Sequence, residues 1–542
     1  MRKSTLKKAL AFGLAAVMAV SGAALTAFAV DDGLEITVQN ASEPNTIDPN
    51  EVNANDCMAL VLHMYEGLTR YRQDLAGVEL AQAESVDVSE DGLTWTWHLR
   101  DDILWSDGQP VTAGDFVYSW QRLVSGSYDN SNFIDMVVNA VEIRSGEKDA
   151  SELGVVAEDD QTLVVSLKNT CTYFDQIVAA ACCSPVRQDM VETGDQWYTD
   201  PATNIGNGAF VMTEWINQDH IEMVASDTYY DKEKVGPAKL TWLLTDDANT
   251  TLANFEGGEI MYAGTYPTEE IDRMKDAGYL ESTGIAGTYY IMFNEECDVE
   301  ALKDPKVRLA LSLVIDRNYI VEKISKQGEI PADAWIGPGF PDAEGNDFHD
   351  ANDDKWWSVD PADYEANIEQ AKALMEEAGY PNGEGFPAIK YATNDNPNHR
   401  AIAEYLQSVW KEYLGVEMSV DIQEWAVFLE MRNKGEYELA RGGWTADFLD
   451  PSSLFDLCLS SGGNNDTSYS NEAYDELMYK AQVEPDAAAR FGYFHEAESI
   501  LKEELPFLPL YYYTASYLAD SENYEGYFNY LAFPMFRYVH AK

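Results

Sequence analysis

Helix-like and strand-like segments alternate along the whole chain of 542 residues, and the chain has no internal repeat. Residues 34–40 and 93–99 show the apolar–polar alternation that is typical of strands, and the second segment places Trp95 and Trp97 on one face. Residues 115–123 have the apolar spacing of a helix. A chain that switches between the two periods over its whole length is predicted to be an α/β protein, and neither a helix bundle nor an all-β sandwich.

The same patterns predict further elements and several folding units. Helices are predicted over residues 59–67, 305–324, 361–378, 399–413 and 486–504. Strands are predicted over residues 239–244, 289–293, 416–422 and 508–513. Because a folding unit has roughly 150 residues, we expect about three units, whose segments can interweave along the chain.

The charge of the chain limits its partners. It carries 94 acidic and 36 basic side chains, which gives a formal net charge of −58 at pH 7. Its 46% apolar and 12% aromatic residues are sufficient for large cores, so the acidity does not indicate a disordered protein. Nucleic acids and anionic lipids are bound through clusters of basic residues. The charge balance therefore excludes both as partners.

The N-terminus has the order of features that is typical of a secretory signal peptide. Basic side chains within residues 1–8 are followed by an uncharged, apolar run at 9–29 that ends in the sequence AFA. We predict that this signal peptide, residues 1–29, is cleaved after Ala29; the alternative is an uncleaved membrane anchor. The first cysteine is Cys57, so no cysteine follows the run to carry a lipid. We expect export to a periplasm, or to the outer face of the cytoplasmic membrane or cell wall.

Motifs of metal-binding and catalytic sites are missing from the sequence. The six cysteines do not have zinc-site spacing, and in an exported chain they leave open one or two disulfides or free buried thiols. The chain has no phosphate-binding glycine loop, no G-x-S-x-G and no H-E-x-x-H sequence, and its seven histidines lie singly. The acidic run at 346–354 lacks EF-hand spacing, so we interpret it as a solvated loop. We expect no enzyme, no metal and no cofactor.

The most informative segment lies between residues 423 and 455. Residues 437–443 are predicted to be extended and to break at two glycines, and Trp444 and Asp447 follow. Glycine permits close approach of a backbone, Trp offers a flat apolar wall, and an Asp beside such a wall stays charged if it meets a cation. A ligand ammonium group is such a cation. The alternative is an ordinary loop with a packed Trp and a solvated or helix-capping Asp.

The run GWTADFLDP resembles the G-W-x-x-D-[YF]-x-[DE]-P signature of the oligopeptide-binding proteins of ABC permeases, which are extracellular solute-binding proteins of the peptide and nickel class, family 5. Further runs that resemble the family follow in the family order: SEPNTIDPN, MYEGLTRY, LTWTWHLRDDILWSDGQPVTAGDFVYSWQRL, NIGNGAFVMTEW, YYDKEKVGPAKLTW, FEGGEIMYAG, DPKVRLALSLVIDRNYIV, AKALMEEAGY, TSYSNEAYDELM and ELPFLPLYYY. One such run is weak support, whereas ten in order over nearly the whole mature chain are strong support.

The resemblance implies a two-lobed α/β fold of the periplasmic-binding-protein type, class II, with an extra domain and a ligand cleft between the lobes. Domain I, the first lobe, would consist of residues 30–65, 187–286 and 512–542. Domain II, the extra domain beside this lobe, would consist of residues 66–186, and domain III, the second lobe, of residues 287–511. In the family, the lobes close over the ligand by a hinge motion.

The resemblance also implies which residues bind a peptide. Gly443 and Thr445 on one lobe, and Asn53 and Asn55 on the other, match strands whose main chain pairs with an extended peptide. Asp447 matches the carboxylate that receives the peptide α-ammonium group. Other residues match groups near the ligand carboxylate or in side-chain pockets: Arg441 and His399 near the carboxylate, and Trp425, Trp444 and Tyr128 in the pockets.

Several of these side chains also have a purely structural interpretation. Arg441 can pair with one of the many acids, His399 can cap a helix, and both Trp side chains can belong to the core. The chain also has Thr445 and Gly287 where well-characterised relatives have a disulfide, so we expect this covalent link to be absent.

The resemblance predicts a binding protein of an ABC importer that captures short peptides outside the cell without catalysis. Its partners would be the transmembrane subunits of the permease with their ATPases, and we expect a monomer. Two alternatives stay open. One is a nickel-chelate or haem binder on the same fold, and the other is an exported glycoside or peptide hydrolase that uses the abundant acids.

Overall fold

The computed structural model describes residues 33–75, 77–126, 128, 130–352, 354–446 and 448–542. The predicted signal peptide, residues 1–29, lies outside this part of the chain. Within these ranges, no helix is both long enough and apolar enough to cross a membrane.

The strands are numbered in chain order. They are β1 (Glu35–Asn40), β2 (Thr69–Tyr71), β3 (Val78–Leu80), β4 (Ala83–Val88), β5 (Thr94–Leu99), β6 (Val155–Asp159), β7 (Thr162–Ser166), β8 (Phe210–Ile216), β9 (His220–Ala225), β10 (Lys239–Leu244), β11 (Tyr262–Ala263), β12 (Leu280–Phe293), β13 (Ile330–Pro331), β14 (Ile389–Asn394), β15 (Met418–Gln423), β16 (Leu439–Thr445), β17 (Phe507–Ala519), β18 (Tyr524–Glu525), β19 (Phe528–Tyr530), β20 (Phe533–Met535) and β21 (His540–Ala541).

The α-helices are numbered in the same way. They are α1 (Asn55–Met64), α2 (Ala113–Ser125), α3 (Ala140–Arg144), α4 (Phe174–Ile177), α5 (Gln188–Val191), α6 (Ala248–Glu256), α7 (Ile271–Asp276), α8 (Pro305–Leu313), α9 (Arg317–Tyr319), α10 (Phe348–Ala351), α11 (Tyr364–Glu377), α12 (Pro397–Leu414), α13 (Trp425–Asn433), α14 (Ser452–Phe455), α15 (Glu472–Val483) and α16 (Ala487–Glu504). Short 3-10 helices lie at Ala150–Glu152, Ala181–Cys183, Trp197–Thr199, Lys232–Lys234, Thr268–Glu270, Glu300–Lys303, Pro361–Asp363, Pro381–Gly383 and Asp456–Cys458, and a π-helix lies at Ile320–Ser325.

The main sheet runs in the order β15-β14-β16-β12-β17-β11-β1-β10-β9-β8, and β13 also pairs with β17. The long antiparallel strands β12 and β17 take part in both halves of this sheet. In one half, residues 280–284 of β12 pair with residues 514–518 of β17. In the other half, residues 288–292 pair with residues 507–512. The register shifts between the two stretches, where Ala286 has a positive φ of 47°.

A smaller antiparallel sheet has the order β4-β5-β7-β6. Trp95 and Trp97 of β5 lie on one face, as predicted, and both are buried with their ring centroids 5.8 Å apart. Helix α2 contacts this sheet and starts after Thr112, whose backbone N–H donates to the Asp115 carboxylate at 2.8 Å. Its apolar face, which includes Trp120, is buried.

Most predicted elements are present with small changes at their ends. Strand β10 has the predicted bounds, and α11, α12 and α16 differ from the predicted helices by a few residues at most. Strands β12 and β17 are longer than predicted because each continues into the second half of the main sheet. Helix α1 begins and ends earlier than the helix predicted over 59–67.

The single helix predicted over residues 305–324 is wrong. Helix α8 ends at Leu313, and a new turn begins after Asp316, whose carboxylate accepts a hydrogen bond from the backbone N–H of Tyr319. The next side chain, Arg317, is buried, and its guanidinium donates to the carbonyl oxygen of Pro509 in β17 at 2.8 Å. The apolar period is continuous in the sequence, whereas the contacts of a buried arginine with a distant strand are not visible there.

All six cysteines belong to the described residues, and all are buried free thiols. Of the two alternatives that the sequence left open, the structure has free thiols. Gly287 and Thr445 lie directly opposite each other in the ladder between β12 and β16. The two positions that match the disulfide of relatives are therefore neighbours, but they carry no cysteine.

A cluster of buried and partly buried side chains, named here the junction cluster, consists of Tyr173, Phe448, Asp450, Asp456 and Arg490. The rings of Tyr173 and Phe448 are stacked, with centroids 4.6 Å apart and an interplanar angle of 9°. The Arg490 guanidinium donates to both oxygens of the Asp450 carboxylate, at 2.6 and 2.8 Å. Burial, together with the negative charge of Asp450, raises the pKa of Asp456 to about 7, although the Arg490 charge opposes this shift.

We expect Asp456→Asn to change the pH dependence of stability. The pKa of Asp456 is raised in the folded protein from 3.8 to about 7, so the wild type loses stability as the pH rises through this window. The loss amounts to at most about 4 kcal/mol, since one pKa unit corresponds to about 1.4 kcal/mol. Asn does not titrate. Urea unfolding across the window should therefore show the variant gaining stability over the wild type as the pH rises.

Asp101→Asn, at an exposed position, is the matched control for the loss of one carboxylate. A stability difference between Asp456→Asn and the wild type that stays constant across the window would contradict the raised pKa.

Candidate ligand-binding site

Strand β16 has one edge that is only partly paired. It pairs with β12 over its whole length, from Leu439 to Thr445. On its other side it pairs with β14 at Leu439 and Ala440. No strand in the described part of the chain pairs with this side at residues 441–445. Unpaired N–H and C=O groups of an extended segment can pair with another extended chain.

The two glycines of β16 were predicted to break the strand, and this prediction is wrong. β16 continues through Gly442 and Gly443 to Thr445. A Cβ atom at Gly442 would overlap the ring of Tyr290, and one at Gly443 would overlap the hydroxyl of Tyr513. The glycines therefore allow aromatic side chains of β12 and β17 to lie against an extended strand.

Arg441 of β16 lies against aromatic rings and has no acidic partner. Its guanidinium carbon is 5.5 Å from the centroid of the Tyr289 ring and 5.7 Å from that of the Trp425 ring. No carboxylate of the described residues lies within ion-pair distance, and its buried Nε has no hydrogen-bond acceptor. Because a buried guanidinium stays charged, this arrangement suits an anion that comes from a ligand.

His399 lies in the first turn of α12 and faces the same group. Its Nδ1 is 3.3 Å from the hydroxyl oxygen of Tyr289. Burial and the positive charge of Arg441 lower the pKa of His399 to about 4, so the imidazole is neutral at pH 7. The cap of α12 is provided by Asn396, whose side chain accepts hydrogen bonds from backbone N–H groups. His399 is thus placed to form hydrogen bonds to a ligand near Arg441.

A row of tyrosines beneath Arg441 was missed in the sequence. The rings of Tyr289 and Tyr511 are stacked, with centroids 4.7 Å apart, and the rings of Tyr511 and Tyr513 are 5.7 Å apart and perpendicular. Because side chains alternate along a strand, Tyr511 and Tyr513 share one face of β17. The repeat YYY at 511–513 is the signal that points to this face.

The two tryptophans lie on different faces of the site. Trp425 is the first residue of α13, after the capping residue Glu424, and its side chain is 47% exposed. Trp444 is partly buried, and its indole N–H has no acceptor. Along β16, Trp444 alternates with Arg441 and therefore points to the opposite face. A peptide paired with this edge would direct successive side chains to the two faces of β16, and one Trp side chain lies at each face.

Asn53, Asn55 and Tyr128 lie in a different part of the chain. The strand predicted around Asn53 and Asn55 is wrong, because Asn55 is the first residue of α1 and both asparagines are exposed. The guanidinium of Arg122 lies 5.3 Å from the centroid of the Tyr128 ring. A hydrogen bond from the Asn130 side chain to the carbonyl oxygen of Val52 connects the two segments. The structure thus brings Tyr128 close to the loop before α1.

Asp447 lies outside the described residues, so its role stays a prediction. Its neighbours in sequence are placed: Ala446 donates its backbone N–H to the carbonyl oxygen of Ala286 at 3.0 Å, and Phe448 belongs to the junction cluster.

Metal-ligand groups cluster at two places away from β16. One cluster contains Glu214, His220 and Glu222, and the Glu222 carboxylate already pairs with Lys239. The other contains Asp347, His349 and Asp350, and Asp347 accepts hydrogen bonds from backbone N–H groups. In each place, one carboxylate already has a partner outside the cluster.

We expect Arg441→Gln to raise the pKa of His399. The positive charge of Arg441 lowers this pKa, whereas burial continues to act in the variant. The pKa should therefore rise above about 4 and stay below the ordinary value of 6.5. Imidazole chemical shifts in a pH titration by NMR measure this change.

The control is Arg432→Gln, since Arg432 pairs with Asp466 at 2.9 Å and does not lie beside His399. An unchanged His399 titration in Arg441→Gln would contradict the proximity of the two side chains.

Comparison with known proteins identifies relatives over nearly the whole chain. Residues 77–466 match the bacterial extracellular solute-binding proteins, family 5 (middle region). The dipeptide-binding protein DppE of Bacillus subtilis (strain 168) is 33% identical over 487 residues, which cover 90% of this chain and 88% of that protein. These matches confirm the resemblance that the sequence runs indicated.

Two solved structures differ in how well they superpose. The unliganded open form of MppA, a periplasmic murein tripeptide binding protein, has a TM-score of 0.84 and 29% identity, and covers 95% of this chain and 98% of that chain. Haemophilus influenzae OppA in complex with RPPGFSPFR has a TM-score of 0.67 and 28% identity, and covers 94% and 99%. The two-lobed α/β fold is thereby confirmed, and the chain superposes better on the unliganded open form.

Proposed function

Because the chain belongs to family 5 of the bacterial extracellular solute-binding proteins, we propose that it captures short peptides in the cleft between its lobes. It then delivers them to the membrane permease of an ABC importer. One observation carries this proposal: the unpaired edge of β16 lies beside Arg441, which has no acidic partner among the described residues. An extended edge and a guanidinium without an acidic partner among the described residues match the main chain and the carboxylate of a peptide.

Main-chain pairing provides affinity that does not depend on the ligand's side chains. At about 3.4 Å per residue, the unpaired edge at 441–445 accommodates roughly four residues of an antiparallel partner. Gly443 and Thr445 belong to this edge and contribute backbone groups. On the opposite lobe, Asn53 and Asn55 would contribute polar groups from a loop and from the start of α1, and Tyr128 would contribute an apolar wall.

The two ends of the peptide would meet opposite charges. Arg441 receives the carboxylate, assisted by the neutral imidazole of His399. Asp447 receives the α-ammonium group, as the GWTADFLDP run implies. Trp425 and Trp444 contact ligand side chains on the two faces of the strand. A cation and an anion at fixed positions would set both the direction and the register of the peptide.

The proposed domains agree with the course of the main sheet. Domain I (30–65, 187–286 and 512–542) and domain III (287–511) meet where β12 and β17 shift register, at residues 284–288. This irregularity is a suitable hinge, because a few residues with unusual backbone angles can absorb a rotation. Domain II, residues 66–186, contains the smaller sheet.

Export, a monomeric state and the absence of catalysis complete the proposal. The protein is made with a signal peptide that is cleaved after Ala29, and it binds its ligand outside the cytoplasmic membrane. The family is one of binding proteins rather than enzymes. A nickel-chelate or haem ligand on the same fold is the alternative, and the identity of the ligand that co-purifies with the protein distinguishes it from a peptide.

We expect Asp447→Ala to weaken the binding of peptides with a free α-ammonium group by roughly 10²- to 10³-fold. Loss of one partner from a buried ion pair costs about 3–5 kcal/mol. The wild type should bind N-acetylated peptides poorly for the same reason, and Arg441→Gln should remove the difference between C-terminal acids and amides. Isothermal titration calorimetry measures all three effects with one tripeptide in four forms. Its N-terminus is free or acetylated, and its C-terminus is an acid or an amide.

Asp272→Ala, which removes an exposed carboxylate from the other lobe, is the matched control and should leave all four affinities unchanged. Equal affinity of the wild type for free and N-acetylated peptides would contradict the role of Asp447.

Native mass spectrometry of protein purified from its own cells should identify the ligand class. A ladder of peptide masses supports the proposal, and a nickel or haem mass contradicts it. Incubation with a peptide and glycan mixture should return every component unchanged, because a hydrolase would release products.

A further inference from the structure

His399 is held at a fixed position beside Tyr289. The side chain of Asn396, which caps α12, accepts hydrogen bonds from the backbone N–H groups of Asn398 and His399, at 2.8 and 3.3 Å. Tyr289 is fully buried and lies opposite Gly443 in the ladder between β12 and β16. The distance of 3.3 Å between the Tyr289 hydroxyl oxygen and His399 Nδ1 therefore joins two side chains that are carried by regular elements.

The buried hydroxyl of Tyr289 needs an acceptor for its proton. Burial, followed by the nearby Tyr391, raises the pKa of Tyr289 well above its ordinary value, so the phenol is neutral at pH 7. Arg441 lies over the Tyr289 ring, but a guanidinium has donors and no acceptor. The buried hydroxyl of Tyr391 has no hydrogen-bond partner among the described residues. In this part of the chain, His399 Nδ1 is therefore the acceptor of the Tyr289 proton.

This hydrogen bond determines which ring nitrogen of His399 carries a proton. Burial and the positive charge of Arg441 lower the pKa of His399 to about 4, so at pH 7 one ring nitrogen is protonated and the other is an acceptor. Because Nδ1 accepts from Tyr289, the proton belongs to Nε2. No described residue accepts a hydrogen bond from Nε2. This group is thus a donor for a ligand, whereas the other tautomer would present a lone pair and repel a carboxylate.

We propose that Tyr289 is a positioning residue, which holds His399 as the Nε2–H tautomer and thereby favours a ligand carboxylate over a carboxamide. Tyr289 acts through His399 and does not touch the ligand. The Nε2–H group and the Arg441 guanidinium are then both donors, and a carboxylate has acceptors for both. A carboxamide replaces one of these acceptors by an NH2 group. This inference rests on the proposed binding of the peptide carboxylate at Arg441.

Nuclear magnetic resonance of the ligand-free protein tests the tautomer directly. The ¹H–¹⁵N signals of His399 in protein labelled with ¹⁵N-histidine are assigned by their absence in His399→Ala. At pH 7 they should show a protonated Nε2 and an unprotonated Nδ1 that accepts a hydrogen bond. In Tyr289→Phe the Nδ1 signal should shift, because the donor is gone. The Nε2 signal should move toward the value of an unprotonated nitrogen, because the second tautomer becomes populated. The wild-type spectrum alone tests the tautomer if the variant does not fold.

Calorimetry with one tripeptide, as its C-terminal acid and as its amide, tests the specificity. A hydrogen bond to a charged group contributes roughly 10- to 100-fold in affinity, and Tyr289→Phe should lose part of this, about 3- to 10-fold for the acid. The amide should lose less than about twofold, because a hydrogen bond to a neutral oxygen is weaker. In the His399→Ala background, Tyr289→Phe should have no further effect on either form.

Tyr405→Phe is the matched control. It removes a hydroxyl from the same helix, α12, where this hydroxyl accepts a hydrogen bond from the backbone N–H of Asp316 at 2.9 Å. The variant should retain the His399 signals and both affinities of the wild type.

The outcomes separate the two hypotheses. If the preference for the acid survives both His399→Ala and Arg441→Gln, the proposed carboxylate site is wrong, and the specificity role of Tyr289 is wrong with it. If these variants lose the preference but the wild type carries its proton on Nδ1, the role of Tyr289 alone is overturned. Unchanged His399 signals in Tyr289→Phe, or equal losses for the acid and the amide, would also overturn it.

Discussion

Strands β12 and β17 pair antiparallel through both halves of the main sheet, and the lobes and the site both depend on this pairing. In the proposed domain division, both strands continue from one lobe into the other without a break, so the two proposed lobes share one hydrogen-bonded sheet. The shift of register at residues 284–288 is the place where this sheet is least regular. Strand β16 pairs with β12 beside this place, so its partly paired edge adjoins the shift of register.

The candidate site carries a positive charge, although the chain as a whole is strongly acidic. Acids outnumber bases by 94 to 36, yet Arg441 has no acidic partner among the described residues. Tyrosine rings surround it instead, and these rings exclude water without neutralising the charge. Burial, together with the charge of the same guanidinium, lowers the pKa of His399 to about 4. A site with one unpaired cation, a neutral imidazole and an open strand edge suits an anionic group at the end of an extended chain.

Local patterns predicted much of the fold and less of the site. The spacing around α2, α11 and α12 was sufficient because each of these helices has one buried face that is mainly apolar. The helix predicted over 305–324 failed because a buried arginine makes contacts with a distant strand. The strand predicted around Asn53 and Asn55 was also wrong, because a correspondence with relatives gives the position of a segment in the fold and not its backbone conformation.

The sequence by itself determined the α/β class and the family, because periodicity and short motifs are properties of neighbouring residues. Only the tertiary structure decided that Gly442 and Gly443 continue a strand, that Arg441 faces tyrosines and no acid of the described residues, and that Tyr173 stacks on Phe448. These features depend on which distant segments the main sheet brings side by side. That choice is made by the packing of the whole chain.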